Sequence, residues 1–189
     1  MHLSTRFLFL AASLALLSVS APRRAHAQLW QSAQVLSAKS FSLGAYGSFV
    51  FAPSADFMGF AQAKVGLGNN LDLEARFGGG SLSPYFGGFL KWQFLSTEVV
   101  NLAVWGGYHY QGTSQVDASV VVSHSFSRFE IYGAPFFQMA FDSTGVRAGG
   151  GFIPGFSFSL ARQARLYVEF VLGSTPVLNS GSIGVKFYL

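Results

Sequence analysis

From about residue 39 to Leu189, apolar side chains recur at every second position, run after run. A period of two belongs to β-strands, whose successive side chains point to opposite faces, and it gives each run one apolar and one polar face. In the first run Phe41, Leu43, Ala45, Gly47, Phe49 and Phe51 share a face, and Ser42, Gly44, Tyr46 and Ser48 share the other. Nine further runs follow, over about 57–67, 71–77, 85–94, 100–110, 116–123, 129–138, 151–160, 166–172 and 182–189. The spacing predicts ten antiparallel strands. Pro135 and Pro154 fall inside the seventh and eighth runs, where a proline would cost a ladder hydrogen bond, so eight strands stays open.

Turn-forming residues punctuate the runs. Gly68-Asn69-Asn70 reads as a tight hairpin turn, and Ser96-Thr97-Glu98, Ser125-Phe126-Ser127 and Arg162-Gln163-Ala164 close the other even-numbered strands. The connections after odd strands, over 52–56, 78–84, 111–115, 142–145 and 173–181, read as longer and richer in Gly, Pro, Ser and Thr. Short turns at one end and longer loops at the other are the habit of membrane β-barrels, and an even strand number puts both termini at the short-turn end.

A soluble sandwich would alternate too, so the placement of aromatic residues carries the decision. On the apolar parity, Phe49, Phe51, Phe57, Phe77, Phe86, Tyr108, Tyr110 and Phe141 gather toward one rim. Phe41, Trp92, Phe94, Phe126, Phe129, Phe156, Phe158 and Phe187 gather toward the other, with Ala, Leu and Val between. Two aromatic belts around an aliphatic band match the two interfaces of a bilayer, whereas a soluble core would hold its largest side chains in the middle. The polar parity takes the charges: Lys64, Asp72, Glu74, Arg76, Lys91, Glu130, Arg147, Glu169 and Lys186. These are expected to pair inside a lumen, as a structural plug or as the lining and gate of a narrow pore. Small residues at Gly149, Gly151, Gly155, Ser157 and Ser159 leave one wall thin, which favours the pore. A barrel of this size is otherwise nearly filled by its own side chains, which favours the plug. An exported soluble β-sandwich is the remaining rival, and it would bury Phe77, Trp92, Val104 and Val120 in a core.

Residues 1–27 read as a cleaved signal peptide: Arg6 gives a positive start, Phe7 to Ala21 an apolar stretch, and Ala25-His26-Ala27 a cleavage site. Residues 28–38 are then expected to form a short periplasmic segment, and residues 39–189 the barrel. Removing Arg6, Arg23 and Arg24 with the leader leaves nine Lys and Arg against eight Asp and Glu, so the basic isoelectric point is no argument for nucleic acid. There is no cysteine, which excludes disulfides, thiolate metal sites and a lipid-anchored cysteine. Charged residues are only 11% of the chain, where about 25% is usual.

The last strand, Gly184-Val185-Lys186-Phe187-Tyr188-Leu189, resembles the terminal strand signal of bacterial outer-membrane β-barrels, in which Gly184, Phe187 and Leu189 would serve insertion. That family usually ends in Phe, and Leu189 departs from it. Residues 39–189 are similar in plan to small eight- to ten-stranded members of the family. The resemblance implies a Gram-negative outer membrane, lipid and lipopolysaccharide as neighbours, and the barrel-assembly machinery and periplasmic chaperones as partners in biogenesis. A monomer is expected, because closure leaves no edge strand to pair.

Chemistry is weakly signalled. His109, Ser114 and Asp117 lie near one loop, where lipid A-modifying barrels keep catalytic residues, but their neighbours do not match the deacylase motif. Asp56, Asp117 and Asp142 could gather as an acidic rim site. Gly78-Gly79-Gly80 and Gly149-Gly150-Gly151 lack the residues of a phosphate cradle, and His109 and His124 stand at no metal-ligand spacing. The expected function is a structural or surface-interaction role with at most a narrow pore. A small passive channel comes next and a lipid A-modifying enzyme third; no cofactor is expected.

Overall fold

The computed structural model describes Leu29 and residues 31–52, 55–80, 83–174 and 179–189. The expected signal peptide lies outside the described residues. Ten strands run in chain order: β1 (Phe41–Ala52), β2 (Asp56–Gly68), β3 (Leu71–Gly80), β4 (Tyr85–Ser96), β5 (Asn101–Gln111), β6 (Ser114–Phe126), β7 (Phe129–Asp142), β8 (Gly145–Ala161), β9 (Ala164–Gly173) and β10 (Asn179–Tyr188). Each pairs antiparallel with its neighbours in sequence, and β1 pairs with β10 to close the barrel. The seam extends past the strand: Leu189 N–H donates to Phe41 O at 2.8 Å and Phe41 N–H to Leu189 O at 3.2 Å. Closure leaves no strand edge unpaired, the condition for a sheet to sit in hydrocarbon.

Parity sets the two faces as the sequence predicts. The outward residues stay exposed, with Phe77 at 61%, Trp92 at 51% and Phe187 at 51%, while the inward Lys64, Arg76, Lys91 and Glu169 are buried. This is a protein whose polar side is inside. A water-soluble sandwich would have buried Phe77, Trp92, Val104 and Val120, all of which are exposed. Among the described residues no helix is long and apolar enough to cross a membrane; the strands cross it.

Two expectations about the ends and the prolines are modified. The connections at the rim away from the termini are 53–55, 81–84, 112–113, 143–144 and 174–178, and those at the terminal rim are 69–70, 97–100, 127–128 and 162–163. Two of the expected long loops are therefore as short as the tight turns. Gly112 at φ +70° and Gly145 at φ +125° supply the left-handed backbone that lets β5–β6 and β7–β8 turn so sharply, as Asn69 and Asn70 do for β2–β3. Pro135 and Pro154 make no bulge. The β6–β7 pairing lapses between Ser119↔Phe136 and Val122↔Gly133, and the β8–β9 pairing between Phe152↔Leu172 and Gly155↔Glu169, each resuming in the same register. The β7–β8 ladder, which contains both prolines, is unbroken. Each proline thus points its missing donor at one neighbour only and costs a local gap, not a strand.

Candidate functional site

Among the described residues the lumen is where polar chemistry concentrates, and it is packed in three tiers. At mid-height Arg76, from β3, lies across the ring of Phe89 (β4) at 4.5 Å and that of Trp105 (β5) at 5.1 Å. Phe89 and Trp105 themselves stack at 4.6 Å. The same guanidinium is ion-paired to Glu74. Elsewhere in the wall Tyr46, from β1, donates to Gln62 Oε1 at 2.9 Å and Tyr132, from β7, to Glu169 Oε2 at 3.2 Å. At Gly155 the thin wall expected from the small residues of β8 leaves no gap. A Cβ on Gly155 would meet the Tyr132 ring at 2.3 Å, and one on Gly184 would meet Tyr46 at 2.1 Å. The small residues are the floor on which two large rings lie.

Toward the rim away from the termini, His109 Nδ1 sits 2.8 Å from Asp117 Oδ2, and Gln138 donates to Asp117 Oδ1 at 2.7 Å. His109 Nε2 meets Gln115 Oε1 at 3.0 Å and its ring stacks on Tyr85 at 4.9 Å. Ser114 is elsewhere: it lies on the outward parity and bonds Tyr108 Oη at 2.9 Å. His109, Ser114 and Asp117 therefore do not form a nucleophile–base–acid line, because one of the three faces the opposite side of the sheet. Asp142 belongs to the rim, where it is ion-paired with Arg147 and accepts from the Thr144 side chain and, at 2.8 Å, the Thr144 backbone N–H. Those hydrogen bonds from Thr144 hold the Asp142 carboxyl below its usual range. Asp56, Asp117 and Asp142 make no common site, and among the described residues no group of three metal-ligating side chains comes together.

The terminal half of the lumen holds the feature that parity could not reveal. The stretch leading to β1 does not hang below the barrel as a periplasmic tail; Leu29 and residues 31–36 run inside it. Leu29, Gln31, Ser32 and Ala33 are buried, Leu29 and Ala33 completely. The walls hold this segment largely by its backbone. Leu29 N–H donates to Glu169 Oε1 at 2.7 Å, and Arg76 donates to Leu29 O at 2.6 Å. Ala33 N–H donates to Ser123 Oγ at 3.3 Å, Val35 N–H to Gln93 Oε1 at 3.3 Å and Leu36 N–H to Asp72 Oδ1 at 2.9 Å. Lys91 donates to the carbonyls of Ser32, at 3.0 Å, and of Gln34, and Lys64 to the Gln31 side chain. Gly66 permits the entry, since a Cβ there would lie 2.1 Å from Ser37 O.

The predicted lumen charges divide accordingly. Lys64, Asp72, Glu74, Arg76, Lys91, Glu130, Glu169 and Lys186 are all buried inside. Lys64 lies 3.5 Å from both Asp72 and Glu74, and Lys91 lies 3.6 Å from Asp72. Glu130 is held by Arg165 at 2.7 Å, a partner that parity would have added to the set. Arg147 is apart from them, its side chain 41% exposed at the far rim. In the last strand Gly184 lies beneath Tyr46, while Phe187 and Leu189 face outward.

No protein-family model and no curated protein sequence matches the chain. Solved structures do resemble it in fold. A structure of the NanC porin aligns over 77% of this chain and 98% of its own, at 9% identity and a TM-score of 0.56. The KdgM porin aligns over 78% and 98% at 13% identity with a TM-score of 0.45. The N-terminal β-barrel domain of OprF from Pseudomonas aeruginosa aligns over 82% and 100% at 15% identity with a TM-score of 0.41. The chain has the closed-barrel fold of small outer-membrane proteins, and its exposed apolar girdle suits a lipid bilayer.

Proposed function

We propose that this outer-membrane barrel has a structural or surface role, with a lumen closed at rest by its own N-terminal segment and open at most as a narrow path. The observation that carries this reading is the threaded chain of Leu29 and residues 31–36, whose backbone is hydrogen-bonded to Glu169, Arg76, Ser123, Gln93, Lys91 and Asp72. Above it the Arg76–Phe89–Trp105 stack narrows the middle of the barrel. Eight buried charges, each beside an opposite charge or a hydrogen-bonding group, rigidify such an interior, since breaking one pair would leave its partner buried and uncompensated. The surface available for recognition is small, because the connections between strands are short. In this reading the barrel stands as a monomer among lipid and lipopolysaccharide, brought there by chaperones and the assembly machinery through its C-terminal strand.

A second reading is a small passive channel, gated by withdrawal of the inserted segment that holds Leu29 and residues 31–36. It is favoured by the way the segment is held, through side chains of the wall and not through a strand ladder, and by the fold shared with a protein described as a porin. Planar-bilayer recording separates the two. The full mature chain is expected to give no steady conductance steps, and a chain shortened to begin at residue 37 is expected to give them. Steady steps of equal size from both would overturn the closed-lumen reading.

A further inference from the structure

Between the inserted segment and the wall formed by β8, β9 and β10 a cavity of about 220 Å³ remains, reaching the terminal rim beside the exposed Arg162. Its cationic lining is Lys64, Lys91, Arg162, Arg165 and Lys186, and none of the described residues lining it is Asp or Glu. Register across four strands brings three of them together. Lys186 on β10 stands directly opposite Arg165 on β9, and on β10's other side Gly44 of β1 faces Lys186 while Ser42 faces Lys64 on β2. Like charges directly opposite across an antiparallel pair are destabilising unless something answers them.

The carboxylates that meet these cations lie behind them, not in the cavity. Asp72 is shared between Lys64 and Lys91, Glu74 also meets Lys64, and Glu130 meets Arg165 from the β7 side. Arg165 Nη2 also reaches Ser159 Oγ at 3.2 Å, which fixes its guanidinium at the cavity wall. Two hydroxyls, Tyr167 and Tyr188, lie 2.6 Å apart on the same lining. Ammonium, guanidinium and hydroxyl groups therefore line a space with room for roughly seven water volumes at ~30 Å³ each.

We infer that this vestibule binds a small anion carrying at least two negative charges on oxygen, such as a phosphate or a short polycarboxylate, presented from the side of the barrel where the chain ends lie. Donor geometry of this kind suits phosphate and carboxylate oxygens, with arginine supplying a planar fork and lysine a point charge. The site is independent of whether the lumen conducts: it sits beneath the inserted segment and uses it as one wall.

The test is titration calorimetry on the folded full-length mature chain in detergent micelles, with inorganic pyrophosphate and citrate as probes and sodium chloride at matched ionic strength as control. Saturable binding of at least one probe is expected, with none for chloride. Arg165→Gln and Lys186→Gln are each expected to weaken it by about tenfold or more, the loss of one charge-assisted hydrogen bond. Arg147→Gln, at the far rim, is expected to leave it unchanged. No saturable heat from the unaltered chain would overturn the inference, as would binding that survives Arg165→Gln, whose partly exposed side chain makes it the safer of the two variants to fold.

Discussion

Gly155 and Gly184 show how much the lumen depends on absent side chains. Each faces inward beneath a tyrosine from a neighbouring strand, at distances no Cβ tolerates. Gly155→Ala is expected to destabilise the folded barrel by about 1–3 kcal/mol, the usual cost of overpacking, read as the urea midpoint of the compact, unboiled band on a gel. Adding Tyr132→Leu to it is expected to recover most of the loss. Recovery failing while Tyr132→Leu alone is tolerated would show that the glycine serves the backbone instead. Arg76 is the opposite case, a large cation wedged between two rings and a carboxylate. Arg76→Met leaves Glu74 buried beside Lys64 alone and is expected to cost about 3–5 kcal/mol in the same assay; a loss under about 1 kcal/mol would show that water reaches Glu74. Parity in the sequence placed all these residues inside. It could not tell which ring leans over which glycine, because that depends on strand stagger and side-chain direction across neighbouring strands.

At the scale of elements, the ten strands were legible because lipid outside and polar groups inside impose a strict period of two over nearly the whole chain. Strand ends were less so. Gly112 and Gly145 look like loop residues in sequence, and only their left-handed backbone reveals two-residue turns. The N-terminal stretch was illegible for a plainer reason: residues 29–40 have no periodicity, and their hydrogen bonds go to side chains up to 140 positions away. The chain has no cysteine, so the threading can be trapped cleanly. Ala33→Cys with Ser123→Cys is expected to form a disulfide on mild oxidation of the folded barrel, detected by loss of maleimide labelling, given the 3.3 Å contact between those residues. Labelling of both thiols under oxidising conditions would place the segment elsewhere. Pro154→Val, at the gap in the β8–β9 ladder, is expected to leave stability unchanged or slightly raised; a loss above about 1 kcal/mol would mean that the ring packs where a branched side chain cannot.

For the whole molecule, the governing fact is inversion: large apolar side chains outside, charges and amides within. Composition hinted at it through the scarcity of charge, the aromatic belts located it, and the closed ladder explains it, because hydrocarbon tolerates no unpaired backbone. The interior tiers and the cationic vestibule follow from which inward residues stand opposite one another, a property of register that no single strand displays. Two tryptophans report on the inversion directly. Trp92 faces outward at 51% exposure, and Trp105 is buried in the lumen against Phe89 and Arg76. The most direct test is fluorescence quenching by lipids brominated in their acyl chains, on the barrel reconstituted in vesicles, comparing Trp92→Phe with Trp105→Phe; Trp30 contributes equally to both. Quenching is expected to fall sharply in Trp92→Phe and to persist in Trp105→Phe. Quenching that persists in Trp92→Phe and vanishes in Trp105→Phe would contradict the inside-out barrel.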